Sequence, residues 1–471
     1  MSGFGVAGIV LAAGLGKRMR SQRPKVLHEL AGEPLLTYPL RLLRAVGADP
    51  IVVVVGPKAQ DVRKVAEPFG VRFAVQEVAR GTGDAVAAGL RVISSFPGDL
   101  VILPSDLPLL EEETLRRLLQ VHVEQEAAVT LVVQEVESPT GFGRIVRDAT
   151  GEVLLIREEA DCTPQERAIR EVNVGVYCVD RLFLSEALLA LRPENAQGEI
   201  YFTDIVAQAR ALRHKVATAS ASPVETVQVS DRVDLARCEK LLRQRLAREW
   251  MIRGVTIIDP DSTYLGPSVE IGPDVVLGPN VILHGRTTVG AGTRIDGNAR
   301  VVDSCIGARC HLKYGVVLQN AELAEEVVVG PFAQLRPGSR LGRGVHIGNF
   351  VETKNAVLAR GVKANHLTYL GDVEVGEETN IGAGTITCNY DGFTKHRTVI
   401  GARVQVGSDS QFVAPVSVGD DAYIATATTV RKDVSAGALV YNPKQQKERL
   451  GWVAQRRARH QQGGNGRSDE E

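Results

Sequence analysis

The sequence predicts an α/β domain with a mainly parallel sheet, then a parallel β-helix of hexapeptide repeats, with one long helix between them. Three observations carry this prediction. From Ile271 to Val430 an aliphatic residue recurs about every six positions, often followed by Gly, as at Ile271, Leu277, Leu283, Val289, Ile295 and Val301. A helix repeats near 3.6 residues and a strand near 2, so a sustained six fits a short strand and a turn repeated as one unit. Before about residue 230, apolar runs alternate instead with amphipathic stretches, the pattern of strands covered by helices. Between the two regions, Leu235, Cys238, Leu241, Leu242, Leu246 and Trp250 fall at helical spacing amid Arg and Glu.

In the first region the expected strands are Val6–Ala12, Ile51–Val55, Arg72–Val75, Leu100–Leu103, Ala128–Val133 and Val174–Val179. The expected helices are Leu35–Ala45, Lys58–Glu67, Gly83–Val92 and Glu111–Gln125. Such an alternation places ligands at the carboxyl ends of the strands. In the repeat region each coil takes three hexads, so the run gives about nine coils. The tail after Trp452, QRRARHQQGGNGRSDEE, is polar and Gly-containing and reads as disordered.

A chain of 471 residues has room for two or three domains, each with its own core. A net charge of −1 gives no general attraction to nucleic acid or anionic membrane, so any anion must be bound by a local site. The 6 cysteines are scattered without a CxxC pair, which reads as reduced thiols, with Cys305 and Cys310 possible neighbours on the coil. The apolar start, Val6–Ala13, is short and broken by Gly. It reads as a buried strand rather than a signal peptide, and no stretch reaches transmembrane length. The expectation is a cytoplasmic protein with no stable membrane association and no nucleic-acid partner.

The first strand runs straight into Leu11-Ala12-Ala13-Gly14-Leu15-Gly16-Lys17-Arg18-Met19. Glycines here let the backbone approach a phosphate, and successive N–H groups cradle its charge. Arg18 and Lys25 add full positive charges. A Gly-rich turn alone also serves as a plain structural turn, and this one is neither a Walker loop nor a GxGxxG fingerprint. In combination the LAAGxGxRM…PK string resembles the nucleotidyltransferases that load a sugar 1-phosphate onto a nucleoside triphosphate. By that resemblance Gln76 and Gly81-Thr82 read the base and approach the sugar, and Gly143, Glu158 and Asn173 line the sugar pocket. Asp106, in Pro104-Ser105-Asp106 at the end of the fourth strand, is the family's metal-binding Asp; on its own it also reads as a cap before Pro108. A second metal ligand aligns with Asp231, where the family has Asn. Lys17 stands where the family usually has Thr.

The six-residue beat fails twice. It jumps from Thr387 to Ile400 across Cys388–Arg397, an extra loop projecting from the coil, and insertions on solenoids often carry the binding face. Around Glu352–His366 polar residues replace the apolar beat. His366 is commonly structural in such a place, yet beside Tyr369 it is also a candidate general base. Arg336, Lys354 and Lys395 offer three cations for a phosphate.

The strings Leu335–Gly338, Gly348–Glu352, Asn365–Asp372 and Asn380–Gly392, with the N-terminal motif, are highly specific. Together they resemble the bifunctional N-acetylglucosamine-1-phosphate uridylyltransferase/glucosamine-1-phosphate N-acetyltransferase family, from about residue 5 to Trp452. The resemblance implies a Rossmann-like nucleotidyltransferase domain over 1–232, a linker helix over 233–253, a left-handed parallel β-helix over 254–452 and a tail over 453–471. It implies that Leu11, Ala12, Ala13, Gly14, Arg18, Lys25, Gln76, Gly81, Thr82, Pro104, Ser105, Asp106, Gly143, Glu158, Asn173 and Asp231 bind nucleotide and sugar, with Mg²⁺ on Asp106 and Asp231. His366 would be the acetyltransfer base, Arg336, Lys354, Tyr369, Asn380 and Lys395 would hold glucosamine 1-phosphate, and Ala383, Asn389, Tyr390, Ser408 and Thr426 would contact acetyl-CoA. Thr426 stands where Ala is common, and Asn442-Pro443 replaces a Ser-Arg pair whose Arg contacts CoA, which leaves that contact either to Lys444 or to no residue. The implied assembly is a homotrimer making UDP-N-acetylglucosamine for peptidoglycan and lipopolysaccharide. The rivals are a single-activity sugar-1-phosphate nucleotidyltransferase with a purely structural β-helix, and a non-catalytic scaffold. His366 and the Cys388–Arg397 loop speak against the first, Lys25 and Asp106 against the second.

Overall fold

A computed structural model describes residues 5–14, 16–443 and 445–463. The chain forms two compact units, Met1–Ala291 with Arg300–Asp303, and Gly292–Ala299 with Ser304–Glu471. Among the described residues no helix is long and apolar enough to cross a membrane.

The first unit is built on one sheet whose main path runs Val216–Ser220, Val129–Glu135, Glu171–Val179, Leu100–Pro104, Ala7–Leu11, Ile51–Val55, Arg72–Val75. Along that path the strands are parallel except for Glu171–Val179, which runs antiparallel to both neighbours. The expected strands and helices are all present, with ends shifted by a few residues. The hairpin Arg144–Arg147/Val153–Arg157 and the edge strand Val216–Ser220 were not expected. Runs such as Ile51–Val55 are buried throughout because separate apolar cores cover the two faces of the sheet. The strand order reverses at Ala7–Leu11, which lies between Leu100–Pro104 and Ile51–Val55, and a crevice is expected at that switch point.

The connecting helix spans Arg232–Ile252. Asp231 caps it: Oδ1 accepts from the N–H of Val233 at 2.8 Å and of Asp234 at 3.0 Å, and Asp234 returns a bond to Asp231 N–H. Compactness divides the chain later than the change of repeat does, because the first coil strands pack with the α/β module. Arg243 stacks over the Tyr264 ring at 4.6 Å, and Arg41 donates to Ser268 Oγ at 2.9 Å. Gly32, at φ +80°, leaves no room for a Cβ, which would come 2.7 Å from His284 Nδ1.

The second unit is a parallel coil of very short strands, many with one residue out and one in, such as Arg294–Ile295, Gln334–Leu335 and Arg340–Leu341. Ile295, Leu312, Val329, Ile347, Ala364, Ile381, Val406 and Ile424 lie in register along one face, all buried. This confirms the six-residue beat and corrects one reading of it. Around Glu352–His366 the coil does not break: Thr353, Leu358 and Ala364 take the inward positions, each at most 1 % exposed. The interior accepts Thr353 because its hydroxyl shares a 2.7 Å hydrogen bond with Ser339 Oγ. The Cys388–Arg397 insertion is real. Tyr369 pairs with Ile386 before it, and Val375 with Ile400 across it.

The tail is also corrected. Trp452–Gly463 is a helix rather than disordered chain. Ala, Arg and Gln favour helix without a buried face, and Arg456 sits over Trp452 one turn away, 5.3 Å from its ring centroid. Residues 464–471 lie outside the described residues.

Candidate functional site

At the carboxyl end of the first strand the Gly-rich turn folds over a 520 Å³ cavity. Leu11, Ala13, Gly14, Lys17, Arg18, Lys25, Gln76, Gly81, Thr82, Pro104, Ser105 and Asp106 all line it, as the motif predicts for most of them. Ala12 does not; it is buried in the core below. Gly16 has φ +57°, and a Cβ there would lie 2.6 Å from Lys25 Cβ, so glycine lets the turn close onto Lys25. Gln76 is held by Gly81 O at 3.0 Å and Asp84 Oδ2 at 3.1 Å, leaving its amide oxygen as the acceptor. Thr82 Oγ1 accepts from Phe202 N–H.

Lys25 Nζ lies 2.6 Å from Asp106 Oδ2, and Asp106 Oδ1 is buried with no hydrogen-bond partner. An orphaned carboxylate oxygen at the wall of a cavity that also holds Lys17 and Arg18 fits a hard cation carried with phosphate. Asp231 lines an adjoining 740 Å³ cavity, which shares Arg18 and Ser230 with the first. The backbone ties the two aspartates' segments together, since Val229 N–H donates to Asp106 O at 2.9 Å. Asp231 is engaged through Oδ1 as the helix cap, so only Oδ2 is open to a cation.

Gly143, Glu158 and Asn173 are brought together outside that cavity: a Cβ at Gly143 would lie 3.5 Å from Glu158 Oε2 and 3.7 Å from Asn173 Cβ. Burial pushes the Glu158 carboxyl up, while a 2.9 Å bond from Thr203 Oγ1 works against the rise. Asn173 Nδ2 donates to Tyr177 Oη at 2.6 Å. Thr203, Tyr177, Glu199 and Ser230 were missed from the sequence; nothing in their local pattern marks them, and only the fold brings them near the site.

On the coil, the three expected cations meet. Lys354 and Arg336 occupy adjacent rungs, through the pairing of Leu335 with Thr353. The Lys395 ammonium beside Lys354, with Arg336 next, pulls the Lys354 pKa down. Arg336 Nη1 also donates to Glu352 at 2.7 Å, and Tyr369 lies within its field. Tyr369 crosses Gly371, where a Cβ would collide with the phenol. Asp372 accepts from Asn355 at 2.7 Å and Asn389 at 2.5 Å; burial disfavours its charge, but these bonds and the lysines hold its pKa low.

His366 ends the strand Lys363–His366, directly beside Asn349, and is exposed; its imidazole has no hydrogen-bond partner among the described residues. Asn380 begins the strand that pairs with Lys363. Ala383, Ser408 and Thr426 stack on successive rungs, since Asp409 N–H donates to Ala383 O and Ala427 N–H to Ser408 O. Asn389 is buried at the loop base and Tyr390 is exposed on the loop. Asn442 Oδ1 accepts from Thr429 N–H at 2.6 Å; Lys444 lies outside the described residues.

The first of these sites sits in a nucleotidyltransferase domain: residues 8–192 match the family described as MobA-like NTP transferase domain. Over nearly its whole length the chain is also similar to proteins named bifunctional protein GlmU. Identity is 47 % over 452 residues with that of Pelobacter propionicus, covering 95 % of this chain and 98 % of the other. It is 48 % over 453 residues with that of Trichlorobacter lovleyi, covering 96 % and 98 %. It is 45 % over 458 residues with that of Sorangium cellulosum, covering 96 % of each. The chain belongs to the GlmU family. It is accordingly a bifunctional enzyme, with nucleotidyltransferase and acetyltransferase activities on small molecules, which sets aside a purely structural β-helix.

Proposed function

We propose that the protein makes UDP-N-acetylglucosamine in two steps at these two sites. On the coil, acetyl-CoA acetylates glucosamine 1-phosphate. In the α/β module, the product displaces pyrophosphate from UTP. The observation that carries this reading is the presence of two separate cation clusters, each beside its own functional group. Lys17, Arg18 and Lys25 line one cavity with Asp106, and Arg336, Lys354 and Lys395 meet beside Tyr369.

In the first step Arg336, Lys354 and Lys395 hold the sugar phosphate, with Tyr369 and Asn380 at its edge. His366 takes a proton from the 2-amine as its nitrogen attacks the thioester carbonyl; the C–S bond then breaks and the thiol of CoA leaves protonated. Ala383, Asn389, Tyr390, Ser408 and Thr426 line the path of CoA. In the second step a phosphate oxygen of N-acetylglucosamine 1-phosphate attacks the α-phosphorus of UTP and the bond to the β-phosphate breaks. Arg18 and Lys25 bind the phosphates, Gln76 reads the base, Gly81 and Thr82 border the ribose, and Gly143, Glu158 and Asn173 hold the sugar. Mg²⁺ on Asp106 and Asp231 would neutralise the triphosphate charge. The enzyme works in the cytoplasm as a homotrimer and supplies precursors of peptidoglycan and lipopolysaccharide.

The test is to supply the purified protein with glucosamine 1-phosphate, acetyl-CoA, UTP and Mg²⁺. UDP-N-acetylglucosamine detected by mass is the expected result; its absence overturns the reading.

A further inference from the structure

The Cys388–Arg397 insertion leaves the coil as a hairpin in which Tyr390 bridges antiparallel to Lys395. One carboxylate organises it. Asp391 Oδ1 accepts from Phe393 N–H at 2.8 Å and Thr394 N–H at 2.7 Å, an Asx-type turn. Asp391 Oδ2 lies 2.6 Å from His396 Nε2 and 3.2 Å from Thr394 Oγ1. The same side chain therefore grips the residues on both sides of Lys395. The base is pinned separately: His396 N–H donates to Asn389 O at 2.8 Å, Asn389 is bonded to Asp372, and Arg397 forms an ion pair with Glu374.

This tethering answers a physical problem. Lys395 and Lys354 stand side by side with Arg336 next to them, and like charges at such range repel. A lysine on a free loop would swing into water until the anion arrived, and binding would then have to order the loop. Among the described residues the Asp391 carboxylate bonds only to Phe393, Thr394 and His396, and to none of the three cations.

We propose that Asp391, through its pair with His396, is a positioning residue that presents Lys395 to the phosphate of the sugar substrate. The inference rests on the acetyltransfer reading of the coil. It assigns a role in substrate affinity to a residue outside the set proposed to hold either substrate.

The test uses full-length protein with glucosamine 1-phosphate and acetyl-CoA, and uridylyl transfer as the control for folding. Asp391→Ala should raise KM for glucosamine 1-phosphate about tenfold, the loss of one charge-assisted hydrogen bond, with kcat held within about twofold. Asp391→Asn, which still accepts from the two N–H groups, should recover part of that loss. On a Lys395→Ala background, Asp391→Ala should add nothing, since the residue through which it acts is gone. An unchanged KM in Asp391→Ala, or an equal rise on the Lys395→Ala background, overturns the inference while leaving the site reading intact. Failure of the unaltered protein to acetylate glucosamine 1-phosphate overturns the site reading, and the inference with it.

Discussion

Lys25 Nζ sits 2.6 Å from Asp106 Oδ2, while the other oxygen of that carboxylate is buried without a partner. An unmatched buried acceptor costs about 1–3 kcal/mol, and an enzyme tolerates it where a ligand will satisfy it. Asp106→Ala should lower pyrophosphate release from UTP and N-acetylglucosamine 1-phosphate by a hundredfold or more, roughly the loss of one preorganised charge-stabilising group. Release of CoA from acetyl-CoA should stay as in the unaltered protein. Equal loss of both activities in folded protein would show that the two sites are not independent.

His366→Ala should have the reverse effect. Removing a general base costs on the order of 10²–10⁴ in rate. CoA release, followed with a thiol reagent, should collapse, and uridylyl transfer should not move.

Lys354 makes a pH prediction. The neighbouring Lys395 ammonium, then Arg336, favour the neutral amine, so Lys354 loses its proton at lower pH than an ordinary lysine. KM for glucosamine 1-phosphate should therefore begin to rise earlier on the alkaline side than an ordinary lysine would allow. Lys395→Met removes the largest cause. It should raise KM near neutrality yet move the alkaline limb of the KM–pH profile to higher pH; an unmoved limb would refute the coupling.

Gly16→Ala tests the turn. A left-handed backbone costs a non-glycine residue roughly 1–2 kcal/mol, and here the new Cβ would also press on Lys25. The expected result is a lower unfolding midpoint, seen by denaturant titration, together with a higher KM for UTP.

His122 tests stability in the α/β module. Burial pushes its imidazole down to about 4, opposed only in part by Asp180, and Nδ1 is bonded to Thr130 Oγ1 at 2.9 Å. The unfolded chain takes up a proton near pH 6.5 that the folded chain refuses until about 4, so stability falls as pH falls through that window. The total change across the window amounts to about 3 kcal/mol. His122→Gln should flatten it in denaturant titrations between pH 7 and pH 5.

Much of this was legible in the sequence because two periods dominate it. The beat of six fixed which side chains of the coil point inward, and apolar runs such as Ile51–Val55 marked the central strands. The inward position of Thr353 is not legible from its polarity, because its hydroxyl is satisfied inside the coil by Ser339. The Trp452–Gly463 helix was hidden by its charge, since it buries no face and relies on local propensity. At the sites, cations and acids next to specific motifs could be named in advance. Thr203 at Glu158 and Asp391 at His396 could not, because both depend on side-chain bonds that only the folded chain brings together.

The rung-by-rung pairing of Leu335 with Thr353, and of Lys354 with Gly371, has an evolutionary consequence. Each step along the coil is one strand spacing, about 4.8 Å. A solenoid changes length by whole turns, because each repeat contacts only its neighbours. Between Leu335 and Ile400 it cannot, because removing one turn would shift Arg336 a full step against Lys354 and Lys395. Gene duplication is thus barred from editing the length of the coil across this dimensionally locked stretch.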